Sequence, residues 1–149
     1  LLPQNIIPVV QNAMAYLSSR SSKKVNFVLN LPQDTEIILP INQCLIEWTL
    51  ENLSKNAIDA MGGIGTLTLD LTQDSKRVFI DVSDTGKGMP KKQFKKVFEA
   101  GFTTKERGWG MGLSLAKRII EEYHHGKIFV KQSTINRGTT FRIVLKKEE

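Results

Sequence analysis

The sequence predicts an α+β fold: a two-layer α/β sandwich in which helices cover one face of a mixed, mostly antiparallel sheet. Alternating apolar and polar residues predict strands, and these strands come in neighbouring pairs. Two stretches with a helical period, 41–61 and 113–124, separate the pairs, and each has an apolar stripe that a sheet could cover. Strand pairs interleaved with helices are typical of this architecture.

Composition limits the class of protein. With 149 residues, 40% hydrophobic and 24% charged, the chain is long enough for one domain with its own core. Cys44 is the only cysteine and His124 and His125 are the only histidines, which excludes an internal disulfide and a Cys/His zinc site. The net charge of +6 favours an anionic partner, which could be a nucleotide, an acidic protein face or a nucleic acid.

Localisation follows from what the sequence lacks. It has no apolar run long enough to span a membrane and no signal peptide, so we expect a cytoplasmic domain without membrane contact of its own. The first residue, Leu1, indicates a fragment of a longer protein, for which membrane anchoring stays open.

The first part of the chain predicts a helix over 8–18 and a polar break before residue 25. We therefore divide the chain into an N-terminal helix and linker, 1–24, and a main domain, 25–149. Alternation then predicts strands over 25–31 and 36–39, and the turn between them suggests a hairpin.

The helix predicted over 41–61 has two different faces. One is an apolar core stripe, whereas Asn52, Asn56 and Asp59 share another face. Asparagine is a mediocre helix former, so two on one face suggest a polar task. A solvated face with incidental amides is the alternative.

A second hairpin is predicted from strands at 66–72 and 78–82, and it leads directly into Asp84-Thr85-Gly86-Lys87-Gly88. A carboxylate at a strand end before two glycines suits a pocket for a flat ligand, although a plain turn is the alternative. Lys91 to Glu99 predict a short helix, and 87–107 reads as a mobile lid.

The glycine-rich stretch from Gly108 to Leu113 is followed at once by a helical pattern. Free N–H groups at a helix start, with glycines that permit close approach, favour a phosphate chain; a flexible loop is the alternative. The spacing excludes a Rossmann turn and a P-loop. The helix is expected to end at Gly126 as a left-handed cap, with both histidines in capping roles, before strands at 128–131 and 141–145.

Four motifs in this order resemble the ATP-binding catalytic domain of sensor histidine kinases. They are the N box 52–57, a first glycine box 84–88, an F box within 97–105 and a second glycine box 108–113. Gly138-Thr139-Thr140-Phe141 matches the closing strand of the family. The family has the Bergerat fold, shared with type II topoisomerases, Hsp90 chaperones and mismatch-repair ATPases.

The resemblance implies roles for individual residues. Asn56 is expected to bind Mg²⁺, Asp84 to accept from the adenine amino group, and Thr139 to assist through an ordered water. The resemblance implies catalytic roles for Asn52, Asn56 and Lys105. The expected contacts with ATP are Asn52, Asn56, Asp59, Asp84, Gly86, Gly88, Met89, Phe98, Thr104, Lys105, Arg107, Gly108, Gly110, Met111, Gly112, Leu113 and Thr139.

The function implied is a protein histidine kinase domain that binds Mg-ATP and donates the γ-phosphate. The acceptor histidine of such kinases lies on a separate dimerisation domain, which these residues do not include, so the fragment alone should not phosphorylate itself. The implied partners are that phosphoacceptor domain in a homodimer and a response regulator receiver domain, with no nucleic acid.

Two positions depart from related patterns. ATP-hydrolysing relatives place a glutamate base where this chain has Asn52, and Glu51 lies about 100° around the helix. Asp59 stands where some kinases have a lysine. The first departure favours a kinase over the alternative of an ATPase switch with the same fold. A basic nucleic-acid-binding domain is the alternative of another class.

Overall fold

The computed structural model describes residues 1–102 and 112–148. The strands are β1 (Leu2–Asn5), β2 (Val25–Asn30), β3 (Ile38–Ile41), β4 (Gly65–Gln73), β5 (Arg77–Ser83), β6 (Lys127–Thr134) and β7 (Gly138–Lys146). The helices are α1 (Ile6–Arg20), α2 (Gln43–Ala60) and α3 (Gly112–Lys117), which continues as a π-helix over Arg118–Tyr123. Short 3₁₀ turns occupy Lys91–Gln93 and Lys96–Phe98.

The main sheet has the strand order β2-β4-β5-β7-β6. Only β2 and β4 are parallel neighbours; the other pairs are antiparallel. Alternate residues of β4, such as Leu67 and Leu69, are buried in one core with Ile46 and Leu50 of α2, whereas Thr72 of β4 is exposed. The predicted fold class, an α+β sandwich with a mixed, mostly antiparallel sheet, is confirmed.

The predicted hairpin between residues 25 and 39 is wrong. β2 instead pairs in parallel with β4, from Val25 opposite Gly65 to Asn30 opposite Asp70. β3 belongs to a separate two-stranded sheet, in which it runs antiparallel to β1. Alternation reports that one face of a strand is buried, but it carries no information about which strand lies alongside. The connection between β2 and β4 includes α2, as parallel neighbours require.

The N-terminal segment packs into the same core as the rest of the chain. Ile6, Val10 and Ala13 of α1 are fully buried, and α1 packs against α2. The N–H of Ile6 donates to the carbonyl of Ile37. The division at residue 24 stays a prediction about domain organisation, but it does not coincide with a break in the core. Among residues 1–102 and 112–148, no helix has both the length and the hydropathy of a membrane span.

The β4–β5 hairpin is confirmed, with Gln73 opposite Val78. The helix predicted over Lys91 to Glu99 is instead two 3₁₀ turns, although Val97 and Phe98 are buried as the pattern indicated. A segment this short gains few helical hydrogen bonds, so the burial of its apolar residues decides its shape.

The helix that begins at Gly112 does not end with Gly126 in a left-handed conformation, as the sequence suggested. His125 takes that conformation, with φ of 58°. Histidine is among the residues that tolerate it. Gly126 is needed for another reason: a Cβ there would clash with the carbonyl oxygen of Val144 in β7. Close approach of two backbones, rather than a positive φ, explains this glycine.

We predict that Gly126→Ala lowers the free energy of unfolding by roughly 1–3 kcal/mol, because the added methyl group has to displace a strand carbonyl. Urea denaturation measures the change. The matched variant His125→Gly should shift the free energy by less than about 1 kcal/mol, since glycine accepts the left-handed conformation. Equal stability of Gly126→Ala and the parent protein would contradict the packing role of Gly126.

Candidate functional site

Asp84 and Thr139 meet at one end of the sheet, where β5 ends and β7 begins. The N–H of Asp84 donates to the carbonyl of Thr139 at 2.9 Å. In return, the N–H of Thr139 donates to Asp84 Oδ1 at 3.3 Å, and the N–H of Gly86 donates to the same oxygen at 2.8 Å. Hydrogen bonds therefore hold both the main chain and one carboxylate oxygen of Asp84 in place. Asp84 and Thr139, which were both predicted to take part in adenine binding, are neighbours.

The carboxylate of Asp84 is 8% exposed. Burial raises the pKa of Asp84 above its ordinary value, because a low-dielectric surrounding penalises the charged form; the hydrogen bonds from Gly86 and Thr139 oppose this with smaller effects. A buried carboxylate with a perturbed pKa at the end of a sheet is typical of a functional site.

Gly86 and Gly88 allow the segment after β5 to pack closely against neighbouring main-chain segments. A Cβ on Gly86 would lie 2.5 Å from the carbonyl oxygen of Ala60, at the end of α2. Gly88 has φ of 69° and lies against the carbonyl of Thr134. The main-chain N–H of Met89 donates to Ser133 Oγ at 2.8 Å. Both glycines have a packing reason within the protein, and their contact with a ligand stays a prediction.

Asn52 and Asn56 lie on α2, and the start of α3 covers one of them. A Cβ on Gly112 would lie 2.8 Å from both terminal atoms of the Asn52 amide, so a larger residue there would require this amide to move. Asn52 Nδ2 is buried and finds no hydrogen-bond partner within residues 1–102 and 112–148. Asn56 is half-buried and lies one turn before Ala60, whose carbonyl contacts Gly86. The amide face and Asp84 are therefore on the same side of the molecule.

The predicted apolar contacts belong largely to the core. Phe98 is buried, with its ring edge-on to Phe141 at 5.8 Å between centroids. The ammonium group of Lys117 lies 5.8 Å from the Phe98 ring centroid. Met89 and Leu113 are partly buried against the same core. These side chains are part of the core, and their contact with the nucleotide stays a prediction.

Asp59 is exposed on α2 and lines a groove of about 340 Å³ between α1 and α2, together with Tyr16, Arg20 and Lys55. Its predicted contact with the nucleotide stays a prediction. The remaining predicted site residues lie outside the described part of the chain. They are Thr104, Lys105, Arg107, Gly108, Gly110 and Met111.

Sequence reasoning missed Ser133, which connects three parts of the site. Its Oγ accepts from the N–H of Met89, donates to the carbonyl of Gly138 at 3.2 Å, and lies 2.7 Å from Thr139 Oγ1. It also missed Thr85, whose Oγ1 accepts from the N–H of Thr66 at 3.1 Å. Both are ordinary polar residues near strand ends, and most of their partners are main-chain groups, which a sequence does not reveal.

Comparison with known proteins decides the family. Residues 43–149 match the family model described as histidine kinase-, DNA gyrase B-, and HSP90-like ATPase. The chain belongs to this family. Sporulation kinase A of Bacillus subtilis is 31% identical over 97% of this chain, and sensor protein TdiS of Thauera aromatica is 34% identical over 96%. The solved catalytic domain of histidine kinase ThkA has a TM-score of 0.87 at 26% identity, covering 99% of this chain and 98% of that one.

The resemblance read from the four motifs is thereby confirmed: this is an ATP-binding catalytic domain of the sensor histidine kinase type. The chain spans only part of its curated relatives, 23% of sporulation kinase A and 27% of TdiS. Its near-complete overlap with the isolated ThkA catalytic domain agrees with the single core described above.

We predict that Asp84→Asn raises the melting temperature of the nucleotide-free protein near pH 7. The raised pKa means that the contribution of Asp84 to stability is present below its ordinary pKa and is lost as pH rises through the folded-state value. The amide removes the buried charge, and its oxygen can still accept from Gly86 and Thr139. Thermal melts should show a gain near pH 7 that shrinks on acidification to about pH 4.

The control for this prediction is Glu36→Gln, which neutralises an exposed carboxylate. Its melting temperature should follow that of the parent protein at both pH values. A melting temperature for Asp84→Asn below that of the parent near pH 7 would show that the carboxylate stabilises the folded protein, contrary to its burial.

Proposed function

We propose that this domain binds Mg-ATP and presents the γ-phosphate for transfer to a histidine on a separate dimerisation domain. The observation that carries the proposal is the arrangement at one end of the sheet. The Asp84–Thr139 pair lies next to the end of α2, and the amide-bearing face of that helix lies beside the start of α3. The adenine base would contact the Asp84–Thr139 pair. The metal would bind the amide-bearing face of α2, and the phosphate chain would lie at the start of α3.

Adenine is assigned to Asp84. Since Gly86 and Thr139 hold Oδ1, the carboxylate has a fixed orientation, and we assign Oδ2 to the adenine amino group. Guanine has a carbonyl oxygen at the equivalent position, which a carboxylate repels, so the same contact selects adenine. Thr139 assists through an ordered water, and the bond between its hydroxyl and Ser133 limits the directions in which it can point.

Magnesium is assigned to Asn56, with Asn52 contacting phosphate or metal-bound water. Within residues 1–102 and 112–148, no group of three or more His, Cys, Asp or Glu side chains could hold a metal. Mg²⁺ is usually bound by few protein ligands together with waters and substrate phosphates, so an amide oxygen on a half-buried helix face fits it. Bound in this way, the ion neutralises phosphate charge during transfer.

The six assigned residues outside the described part of the chain rest on the motifs alone. We assign Lys105 and Arg107 to the γ-phosphate, Gly108, Gly110 and Met111 to the phosphate-wrapping glycine box that ends at Gly112 and Leu113, and Thr104 to a nucleotide contact. Asp59 stays assigned as a contact with the nucleotide.

Transfer to a histidine is favoured over hydrolysis because of Asn52. A water nucleophile needs a base, and an amide cannot take up its proton. The kinase therefore needs partners, and we propose the phosphoacceptor domain of its own homodimer and a response regulator receiver domain. The alternative, an ATPase switch, would show substantial ATP turnover by this domain alone.

Calorimetric titration with a non-hydrolysable ATP analogue, with and without Mg²⁺, tests the site. Asn56→Ala should abolish the gain in affinity that Mg²⁺ provides, because the protein ligand to the metal is lost. Asp84→Asn should lower the affinity for adenine nucleotides by roughly 10- to 100-fold, which is the effect of losing a hydrogen bond to a charged group. It should also narrow the preference for ATP over GTP, since an amide can donate to a carbonyl.

The control variant is Asn30→Ala, which removes an exposed asparagine that bonds Asp70 on the sheet. It should bind like the parent protein. If the parent, Asn56→Ala and Asp84→Asn bind the nucleotide with equal affinity, the site assignment is wrong. Salt-sensitive DNA binding, with no effect of ATP on the melting temperature, would instead favour a nucleic-acid-binding domain.

We predict that the domain incubated with Mg-ATP gains no phosphohistidine. His124 is buried, and both of its ring nitrogens are engaged by main-chain groups. His125 is exposed, but it lies in the short connection between the π-helix and β6 and not on a helical hairpin. Mass spectrometry under conditions that preserve phosphohistidine measures the product. Stoichiometric phosphate on either residue would contradict the requirement for a separate acceptor domain.

A further inference from the structure

His124 connects the two helices that form the phosphate end of the proposed site. Its Nδ1 lies 2.8 Å from the carbonyl oxygen of Ile119 in the π-helix, and the main-chain N–H of Asn42 donates to its Nε2 at 3.0 Å. A carbonyl only accepts and a main-chain N–H only donates, so the proton is on Nδ1 and Nε2 is unprotonated. The geometry requires a neutral ring.

Asn42, whose main-chain N–H donates to His124, is the N-cap residue of α2. The side chain of Asn42 accepts from the N–H of Leu45 at 3.0 Å, and its carbonyl accepts from the N–H of Ile46 at 3.0 Å. The first turn of α2 therefore starts from a residue whose own N–H is fixed by the imidazole.

The same two helices touch again where the start of α3 meets the middle of α2. There, Gly112 at the start of α3 packs against the amide of Asn52 on α2. α3 and the π-helix form one continuous segment from Gly112 to Tyr123, with His124 directly after it. A change at the His124–Asn42 contact can thus tilt or shift the segment that sets the Gly112–Asn52 contact.

We propose that His124 is a positioning residue for nucleotide binding: its neutral ring keeps the α3 segment in place against α2, and its protonation weakens ATP binding at acidic pH. This inference rests on the proposed function. The protonated ring would present an N–H at Nε2 to the N–H of Asn42, so the hydrogen bond would become a contact between two donors.

The surroundings of His124 keep its ring neutral at physiological pH. Burial lowers its pKa below the ordinary value; the bond to Ile119 opposes this with a smaller effect, and the neighbouring His125 lowers the pKa further. The depressed pKa means that the link is intact above the ordinary range and is lost as pH falls through the folded-state value.

Among the described residues, the start of α2 and the π-helix carry the following other titratable groups near this contact. Residues 42–46 of the α2 start have no charged side chain, Cys44 being an exposed thiol, and Glu47 follows more than one turn after Asn42. On the π-helix, Glu121 accepts from the N–H of Ile128, and Glu122 pairs with Arg118 on the exposed side. Tyr123 contacts the imidazole, with 5.3 Å between ring centroids.

Three variants of the same chain separate positioning from simple loss of stability. His124→Gln places an oxygen near the position of Nε2, which can accept from Asn42 and does not titrate. His124→Asn is shorter, so it can donate to Ile119 but has no acceptor in reach of Asn42. His125→Asn removes the neighbouring exposed histidine, and asparagine tolerates its left-handed backbone. Nucleotide-free melts check that each variant is folded.

The experiment is titration of a non-hydrolysable ATP analogue with Mg²⁺ at about pH 7.5 and then at falling pH, through the ordinary histidine pKa and on to the lowest pH at which the nucleotide-free melts show a folded protein. On acidification, the parent protein should lose roughly three- to tenfold more affinity than His124→Gln, the effect of one hydrogen bond. His124→Asn should bind more weakly than the parent at the higher pH, by a similar factor. His125→Asn should follow the parent. Titration of ATP itself and of Asp84 is common to all four proteins.

Parallel pH profiles for the parent and His124→Gln would overturn the inference, even if both bind ATP. Full affinity of His124→Asn at the higher pH would overturn it as well, since the link to Asn42 would then be dispensable. Absence of binding by all four proteins at the higher pH would instead refute the proposed function, and the inference with it.

Discussion

The structure of the site depends on the hydrogen bonding between the end of β5 and the start of β7. The antiparallel register that places Ser83 opposite Thr140 continues one step further, as the paired main chains of Asp84 and Thr139. Because the carboxylate also accepts from Thr139 and Gly86, Asp84 cannot shift without breaking sheet bonds. The buried acidic group assigned to adenine is therefore positioned by the hydrogen bonds at the end of the sheet.

The second constraint is the path of α2. β2 and β4 are parallel neighbours, so the chain between them has to cross back over the sheet, and α2 is part of that crossover. Its C-terminal end contacts Gly86, two residues after Asp84. If β2 and β3 had formed a hairpin, α2 would not have been required to cross back over the sheet. The parallel pairing that the sequence did not reveal thus explains why the amide face of α2 lies beside the sheet end.

Several groups in the site are unfavourable for the stability of the nucleotide-free protein. Asp84 is a buried carboxylate with a raised pKa, and Asn52 buries an amide nitrogen without a partner among the described residues. Buried polar groups of this kind cost free energy unless something binds them. A ligand with an amino group and phosphate oxygens can offset both costs, which is the usual relation between function and stability at a binding site.

The sequence by itself determined the family and most of the longer helices and strands. Periodicity located the α2 stripe and the β4–β5 hairpin, because side-chain burial repeats with the geometry of each element. The order of the four motifs identified the kinase-type domain and selected Asp84, Asn52, Asn56 and Thr139, which the structure places on one side of the molecule.

Only the tertiary structure decided how the elements meet. It paired β2 with β4, placed α1 in the common core, and gave His125 rather than Gly126 the positive φ. It also brought Ser133 into polar contacts of the site and His124 against the N-cap residue of α2. In each case the partner is a main-chain group, or a surface formed by residues distant in the sequence. Main-chain N–H and carbonyl groups are nearly the same in every residue, so their pairing leaves no pattern in the order of side chains.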